Sequence, residues 1–291
     1  MAFDTLYIVD TMYLLFKSFF ALENSKLHNR AGFPTGALYG LASALTNMRK
    51  NLPMQYCICA FESEEPTFRK ELSPVYKANR PEIDPSLKLQ IPKAIEMCER
   101  LGYVTVNKPG YEADDVIASI ARRAVSGDRW RVRVISKDKD LAQLTALEGD
   151  IAVIVPDIHA KKMEHYVDKE SCEKRYGVPP ELVGDWLALQ GDSCDNIIGI
   201  KGVGPKTAAK ILKAAGSLER LLANPRLAGE RFANVIADSK AQLELNKRLV
   251  TLADDLDLPV SYEPQALAIE KLGAEGKAFF EELDMQWQRF V

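Results

Sequence analysis

Arg131-Val132-Arg133-Val134-Ile135-Ser136-Lys137-Asp138-Lys139-Asp140 carries β-branched residues at 132, 134 and 135 and then turns acidic. Such a run reads as a buried strand that delivers carboxylates at its end. Asp138 and Asp140 stand at i, i+2 and point the same way if strand geometry persists. The same signature recurs at residues 6–10, closed by Asp10, and at residues 55–61, followed by Glu62. Residues 103–106 and 151–155 are further strand candidates. Helical periodicity fills the intervals at 35–50, 86–100 and 113–126. The alternation predicts an α/β fold, a mostly parallel central sheet flanked by helices, whose ligands sit at the carboxyl ends of the strands. Past residue 176 the strand signals stop, and helix patterns run through 181–190, 206–214, 218–222 and 231–253. The expected organisation is an α/β core over 1–175 and a helical region over 176–291.

Composition narrows the class. The chain has 291 residues, 47 % hydrophobic and 27 % charged, which excludes a disordered tail or a collagen-like repeat. No run of ~18 apolar residues spans a bilayer. The N-terminus enters a strand-like run with no signal-peptide pattern, and five irregularly spaced cysteines suit a reducing compartment. A cytoplasmic protein that does not engage membranes is therefore expected. Cys57 and Cys59 are expected in the core. The net charge of −3 argues at first against nucleic acid.

Further acids cluster away from the strands. Glu112-Ala113-Asp114-Asp115 opens a helix whose apolar stripe is Val116, Ile117, Ile120 and Ala124. A regular helix cannot aim all three acids at one point, so Glu112 is placed before the first turn, and Asp115 is placed pointing away from the stripe. In Gly191-Asp192-Ser193-Cys194-Asp195-Asn196, the two aspartates share a face if helical. The competing explanation is ordinary: acids terminate strands and complement helix dipoles. Nine such acids in one site would repel one another unless cations neutralised them. A carboxylate set without histidine suits Mg²⁺ or Mn²⁺ and not zinc, and His28, His159 and His165 have no metal-ligand spacing. Two such ions about 4 Å apart serve in-line phosphodiester hydrolysis. Setting nine acids aside leaves 41 − 9 = 32 acidic against 38 basic residues, so the total conceals a basic remainder.

Two segments carry cations. Residues 62–90 hold Pro66, Pro74, Pro81 and Pro85 around Arg69, Lys70, Lys77 and Arg80, too long for a simple strand-to-helix connection. Gly199-Ile200-Lys201-Gly202-Val203-Gly204-Pro205-Lys206-Thr207 permits a tight turn and leaves backbone N–H groups bare at a helix start, an anion site. Lys201, Lys206, Lys210 and Lys213 favour phosphate there.

Taken in order, Ile8-Val9-Asp10, Pro66 to Glu71, Tyr76-Lys77-Ala78-Asn79-Arg80-Pro81, Glu112 to Asp115, Asp138-Lys139-Asp140 and Gly191 through Ala209 resemble the 5′-nuclease family. That family comprises flap endonucleases, phage 5′-exonucleases and the N-terminal exonuclease domain of bacterial DNA polymerase I. The resemblance covers nearly the whole chain. It implies a PIN-like core and a structure-specific 5′-nuclease that cuts DNA bearing a 5′ flap, 5′ end or branch by two-metal hydrolysis. It assigns metal roles, with Mg²⁺ or Mn²⁺, to Asp10, Glu62, Glu112, Asp114, Asp115, Asp138, Asp140, Asp192 and Asp195. It makes 62–90 a helical arch or gateway in which Arg69, Lys77 and Arg80 grip phosphate beside the scissile bond. Lys17 falls where the family often has a phosphate-binding arginine. A helix-hairpin-helix at about 190–214, with Gly199, Lys201, Gly202, Val203, Gly204, Lys206 and Thr207, would hold duplex backbone, commonly with K⁺. A cytoplasmic monomer of bacterial or phage type, without a polymerase domain, is expected. Three departures stand out: Thr11 follows the first aspartate in place of glycine, Glu62 replaces aspartate, and Lys137 replaces glycine, where it also becomes a candidate phosphate contact. They motivate the alternative of a weakly active or non-catalytic binder of branched DNA; a PIN-like RNA nuclease ranks third.

Overall fold

The computed structural model describes residues 3–127, 129–155 and 164–290; His159 lies outside them. Six strands form one sheet: β1 (Asp4–Asp10), β2 (Tyr56–Ala60), β3 (Val104–Val106), β4 (Trp130–Ile135), β5 (Ile151–Val155) and β6 (Glu164–Val167). Their order is β3-β2-β1-β4-β5-β6, parallel except for β6. The helices of the α/β half are α1 (Thr11–Leu22), α2 (Gly36–Asn51), α3 (Phe68–Leu72), α4 (Pro85–Arg100) and α5 (Ala113–Val125).

Side-chain alternation explains the layering. Leu6 and Ile8 of β1 join one buried cluster with α5, while Tyr7 and Val9 join the other with α1, α2 and α4. Cys57 and Cys59 fall in the second cluster, fully buried, as their strand setting leads one to expect. In register, Asp10 lies opposite Ala60 and Val9 opposite Ile135. The strand order reverses direction between β1 and β4, a topological switch point where the loops at the strand ends part and leave a crevice. Asp10 and Ser136 flank that crevice.

Beyond β6 come α6 (Lys169–Tyr176), α7 (Val183–Gln190), a short hairpin of β7 (Gly191–Asp192) and β8 (Ile197–Ile198), then α8 (Pro205–Ala215) and α9 (Leu218–Ala223). They are followed by α10 (Glu230–Asp238), α11 (Lys240–Val250), α12 (Pro264–Leu267) and α13 (Ala274–Glu282). Leu187, Ile211, Leu243 and Leu249 of this half belong to the same buried cluster as β4 and α5. Three expectations are corrected. Residues 191–196 are a hairpin and not a helix. The helix expected over 231–253 breaks at Ser239 into α10 and α11 and ends at Val250. β4 stops at Ile135, and a 3₁₀ turn begins at Asp140, so strand geometry does not carry Asp138 and Asp140.

The hairpin closes only because two glycines meet. A Cβ on Gly199 would stand 2.1 Å from the carbonyl carbon of Gln190 and 2.4 Å from the Gly191 nitrogen. Gly191 itself adopts φ +81°, a region disfavoured for other residues. Gly199→Ala is expected to destabilise the protein by at least about 2 kcal/mol, whereas Gly204→Ala, with open space around its Cβ, stays near wild type. Urea unfolding of both variants checks this.

Candidate active site

The end of β1 sets the first carboxylate. Asp10 caps α1, accepting from the Tyr13 backbone N–H at 2.9 Å through Oδ1, and its Oδ2 accepts from the Ser136 hydroxyl at 2.7 Å. Ser136 thus ties β1 to β4, and its Oγ also accepts the Asp138 N–H at 3.0 Å. Asp138 Oδ1 in turn accepts the Asp140 N–H at 2.9 Å. One buried serine and a turn therefore order three acids. Asp114, in the first turn of α5, faces the charges of Asp138, Asp10 and Asp140.

Asp140 links this group to a second one. One oxygen each from Asp140, Asp192 and Asp195 lies within 4.8 Å of the others. Asp192 and Asp195 thus converge with Asp140 through the hairpin and not through a helix face. Lys139 Nζ reaches Asp192 at 2.6 Å and Asp140 at 3.8 Å. Asp140 Oδ1 is buried without a hydrogen-bond partner among the described residues.

A third group borders the second. Glu112, the N-cap of α5, accepts from Tyr76 Oη at 3.0 Å and Lys77 Nζ at 2.6 Å. Its place before the first turn agrees with the sequence reading. Tyr76 Oη is also 3.0 Å from Asp195 Oδ2, and Arg80 pairs with Asp195 Oδ1 at 2.5 Å. Lys77 holds φ +54°, a costly conformation fixed by its N–H donating to the Asp195 carbonyl. Asn79 and Asn196 add further bonds between the two segments. The 62–90 segment is therefore laid against the hairpin through its middle, with α3 before that stretch and the start of α4 after it. Glu62 feels Lys77, Glu112, Arg80 and Asp195.

The electrostatics follow from crowding. Burial, followed by Asp138, pushes Asp140 up to about 8, Lys139 opposing. Burial raises Asp10 to about 6 against its two hydrogen-bond donors. Burial and the three neighbouring acids hold Asp114 well above the ordinary carboxylate range, and burial raises Glu62. The cations in reach, Lys139 beside Asp140 and Lys77 and Arg80 near Glu62, do not offset this crowding, and an all-oxygen set with a buried oxygen lacking a hydrogen bond fits a hard divalent cation.

Two assignments shift on geometry. Asp115 is fully buried, not pointing outward, and Arg69 is 2 % exposed. Their bidentate pair measures 2.6 and 2.8 Å. The remaining guanidinium N–H groups go to Glu112 at 3.3 Å and to the carbonyls of Leu249 and Thr251. All five donors are used, so neither phosphate for Arg69 nor a metal for Asp115 fits this arrangement. The placement arises because α3 lies against α11, from where Arg69 reaches the start of α5, a contact no local pattern reveals.

The remaining candidates lie around the acids. Lys17 is half-buried, its Nζ 5.7 Å from the Tyr13 ring centre, and Lys137 is exposed beside Asp138. In the glycine turn Lys201, Gly202, Gly204 and Lys206 are exposed, Gly199 and Thr207 half-buried, and Val203 buried, offering only its backbone. Gly204 caps α8 without a side chain, leaving amides open. Trp186 Nε1 donates to the Pro205 carbonyl at 3.0 Å, locking α7 to α8. Sequence reasoning missed Ser136, Lys139 and Tyr76 as site residues. Ser136 stands at the strand-to-acid junction and Tyr76 adjoins Lys77, which were the available signals.

Comparison with known proteins places this geometry. Residues 5–177 match the model of a 5′-3′ exonuclease N-terminal resolvase-like domain, and residues 178–273 that of a 5′-3′ exonuclease C-terminal SAM fold. A 5′-3′ exonuclease of Aquifex aeolicus is 40 % identical over 260 residues, 89 % of this chain and 85 % of its own length. The thermostable DNA polymerase I of Thermus thermophilus is 34 % identical over 95 % of this chain, which spans 32 % of that polymerase. The fold matches a bacteriophage T5 flap endonuclease solved as a pseudo-enzyme-product complex with DNA and metal ions. That match has a TM-score of 0.69 at 22 % identity, covering 97 % of this chain and 100 % of that one.

Proposed function

Because the chain belongs to the 5′-3′ exonuclease family, we propose that it is a structure-specific 5′-nuclease hydrolysing phosphodiester bonds in DNA with a 5′ flap, 5′ end or branch. The observation that carries this reading is the convergence of acids at the switch point, with Asp140 shared between the Asp10–Asp114–Asp138 group and the Asp192–Asp195 group. Mg²⁺, or Mn²⁺ in its place, would be held by these residues, with Glu62 and Glu112 at the border. When bound, two such ions supply water activation and stabilisation of the leaving oxygen.

The chain's own residues do the rest. Ser136 and the Tyr13 N–H orient Asp10. Lys77 and Arg80, on the segment facing the hairpin, exchange their carboxylate partners for substrate phosphate. Lys17 and Lys137 extend that contact. Arg69 and Asp115 position Glu112 from beneath. The turn from Gly199 to Thr207, with Lys201, Lys206 and the Val203 backbone, holds duplex phosphates and a K⁺ ion. These contacts select shape and not base sequence. In this reading 1–175 is the nuclease core, 176–291 holds the duplex, and one monomer suffices.

The test is a 5′-flap duplex labelled on the flap, incubated with Mg²⁺, with Mn²⁺ and with chelator. Cleavage near the flap junction that stops with chelator is expected. Tight binding with no product in either metal would favour the non-catalytic reading prompted by Glu62 and Lys137.

The raised acids also predict a pH signature. Asp10 near 6 and Asp140 near 8 bind more protons folded than unfolded across pH 4 to 8. Stability of the metal-free protein therefore falls as pH rises through that window. Divalent cations, binding the deprotonated site, offset the loss. The difference in Tm with Mg²⁺ and with chelator is expected to widen from pH 5 to 8.5; a constant difference would remove these two acids from the ion site.

A further inference from the structure

A cavity of about 450 Å³ opens at the opposite end of the sheet from the acids. Its place follows from topology: α2 ends at Asn51 and Tyr103 immediately precedes β3, so both lie where parallel strands begin. Leu101, Tyr103, Leu272, Trp287 and Phe290 make an apolar floor. Arg49, Lys50, Lys271 and Lys277, with Thr46, complete the lining, and no acid contributes to it. Among the described residues none of these four cations forms an ion pair, although nearby Arg100 pairs with Glu275 and Lys93 with Glu96. Lys277 instead lies 4.5 Å from the centre of the Trp287 ring.

Four cations without a carboxylate partner, one of them over the Trp287 ring, around an apolar floor favour an anion with a flat apolar body. Carboxylate would satisfy one cation, whereas phosphate offers several oxygens and negative charges to an arginine fork and three ammonium groups. The volume and the apolar lining with a few convergent polar groups are those of a small-ligand site. We propose that this cavity binds a nucleotide unit, its base against Trp287 and Leu272, the two half-buried residues of the floor, and its phosphates among Arg49, Lys50, Lys271 and Lys277. The site is separate from the acids and from the glycine turn, so the proposal stands or falls independently of the nuclease reading.

Calorimetry on the full chain, in chelator so that no nucleic acid is cut, tests it with three probes: ATP, inorganic tripolyphosphate and a thymidine decanucleotide. Lys50→Glu/Lys271→Glu reverses two exposed charges, and Trp287→Leu removes the ring while keeping an apolar side chain. Both variants are expected to weaken ATP or the decanucleotide by about tenfold or more. Loss confined to ATP assigns the site to free nucleotides; loss confined to the decanucleotide assigns it to a unit within a strand. Unchanged binding of both probes in both variants overturns the proposal. So does tripolyphosphate binding as tightly as ATP, because the floor would then contribute nothing. Flap cleavage by the charge-reversed variant is expected to match wild type.

Discussion

Asp114→Asn is expected to lower Mg²⁺-dependent cleavage by at least about 10³-fold while leaving affinity for flap DNA nearly unchanged. Asp114 enters from α5 between the acids delivered by β1 and β4, and its carboxylate is crowded by Asp138, Asp10 and Asp140. The amide keeps the shape and removes the charge that a divalent ion requires. The same change relieves repulsion in the metal-free protein, so its Tm should rise. About 1 kcal/mol of relief corresponds to roughly 1.5–2 °C in a protein of this size. Lost turnover together with gained metal-free stability distinguishes a site acid from a structural one, for which stability would fall. Single-turnover cleavage and thermal unfolding in chelator read the two effects separately. A variant that cuts like wild type removes Asp114 from the site.

Arg69→Ala is expected to cost about 3–5 kcal/mol, because it strands buried charge. Asp115 is fully buried and loses its bidentate partner, while the carbonyls of Leu249 and Thr251 lose their donors. The end of α11 is thereby released from α3 and α5. Glu112 also loses one of three donors, so residual cleavage should drop even where the variant is fully folded. A phosphate-gripping arginine behaves oppositely: its removal leaves unfolding unchanged and weakens DNA in a salt-dependent way. Chemical denaturation decides between these outcomes, since an unfolding free energy within about 0.5 kcal/mol of wild type belongs to an exposed side chain.

The strands were legible because their signal is local. The apolar runs ending in Asp10 and before Glu62 each carry a parallel strand within a residue or two of the expected bounds. The acids were legible as a set because strand ends of a parallel sheet face one way. What stayed hidden was pairing across long separations. Arg69 and Asp115 are 46 residues apart, and nothing near either residue says that one will neutralise the other. The hairpin at Gly191 was hidden for a related reason: its bond pattern depends on Gly199 lying against Gln190 and Gly191. Aspartates at i, i+3 met as expected, but through a turn whose geometry mimics the spacing of a helix. Lys77 was read as a cation for phosphate, yet its ammonium is spent on Glu112.

The hairpin has one consequence for where a strand would be cut. Asp192 sits on β7, and the glycine turn begins one residue after β8, so an acid of the site and the proposed phosphate rest share a single tight loop. Asn246 clamps that loop by donating to the carbonyls of Ala188 and Ile198. If the rest holds duplex as proposed, the span from rest to scissile bond would be set by backbone pinned at both ends of the hairpin. A duplex seated on the rest would be measured in whole nucleotides from that point. Length fidelity would come from the stiffness of this loop instead of from reading any base.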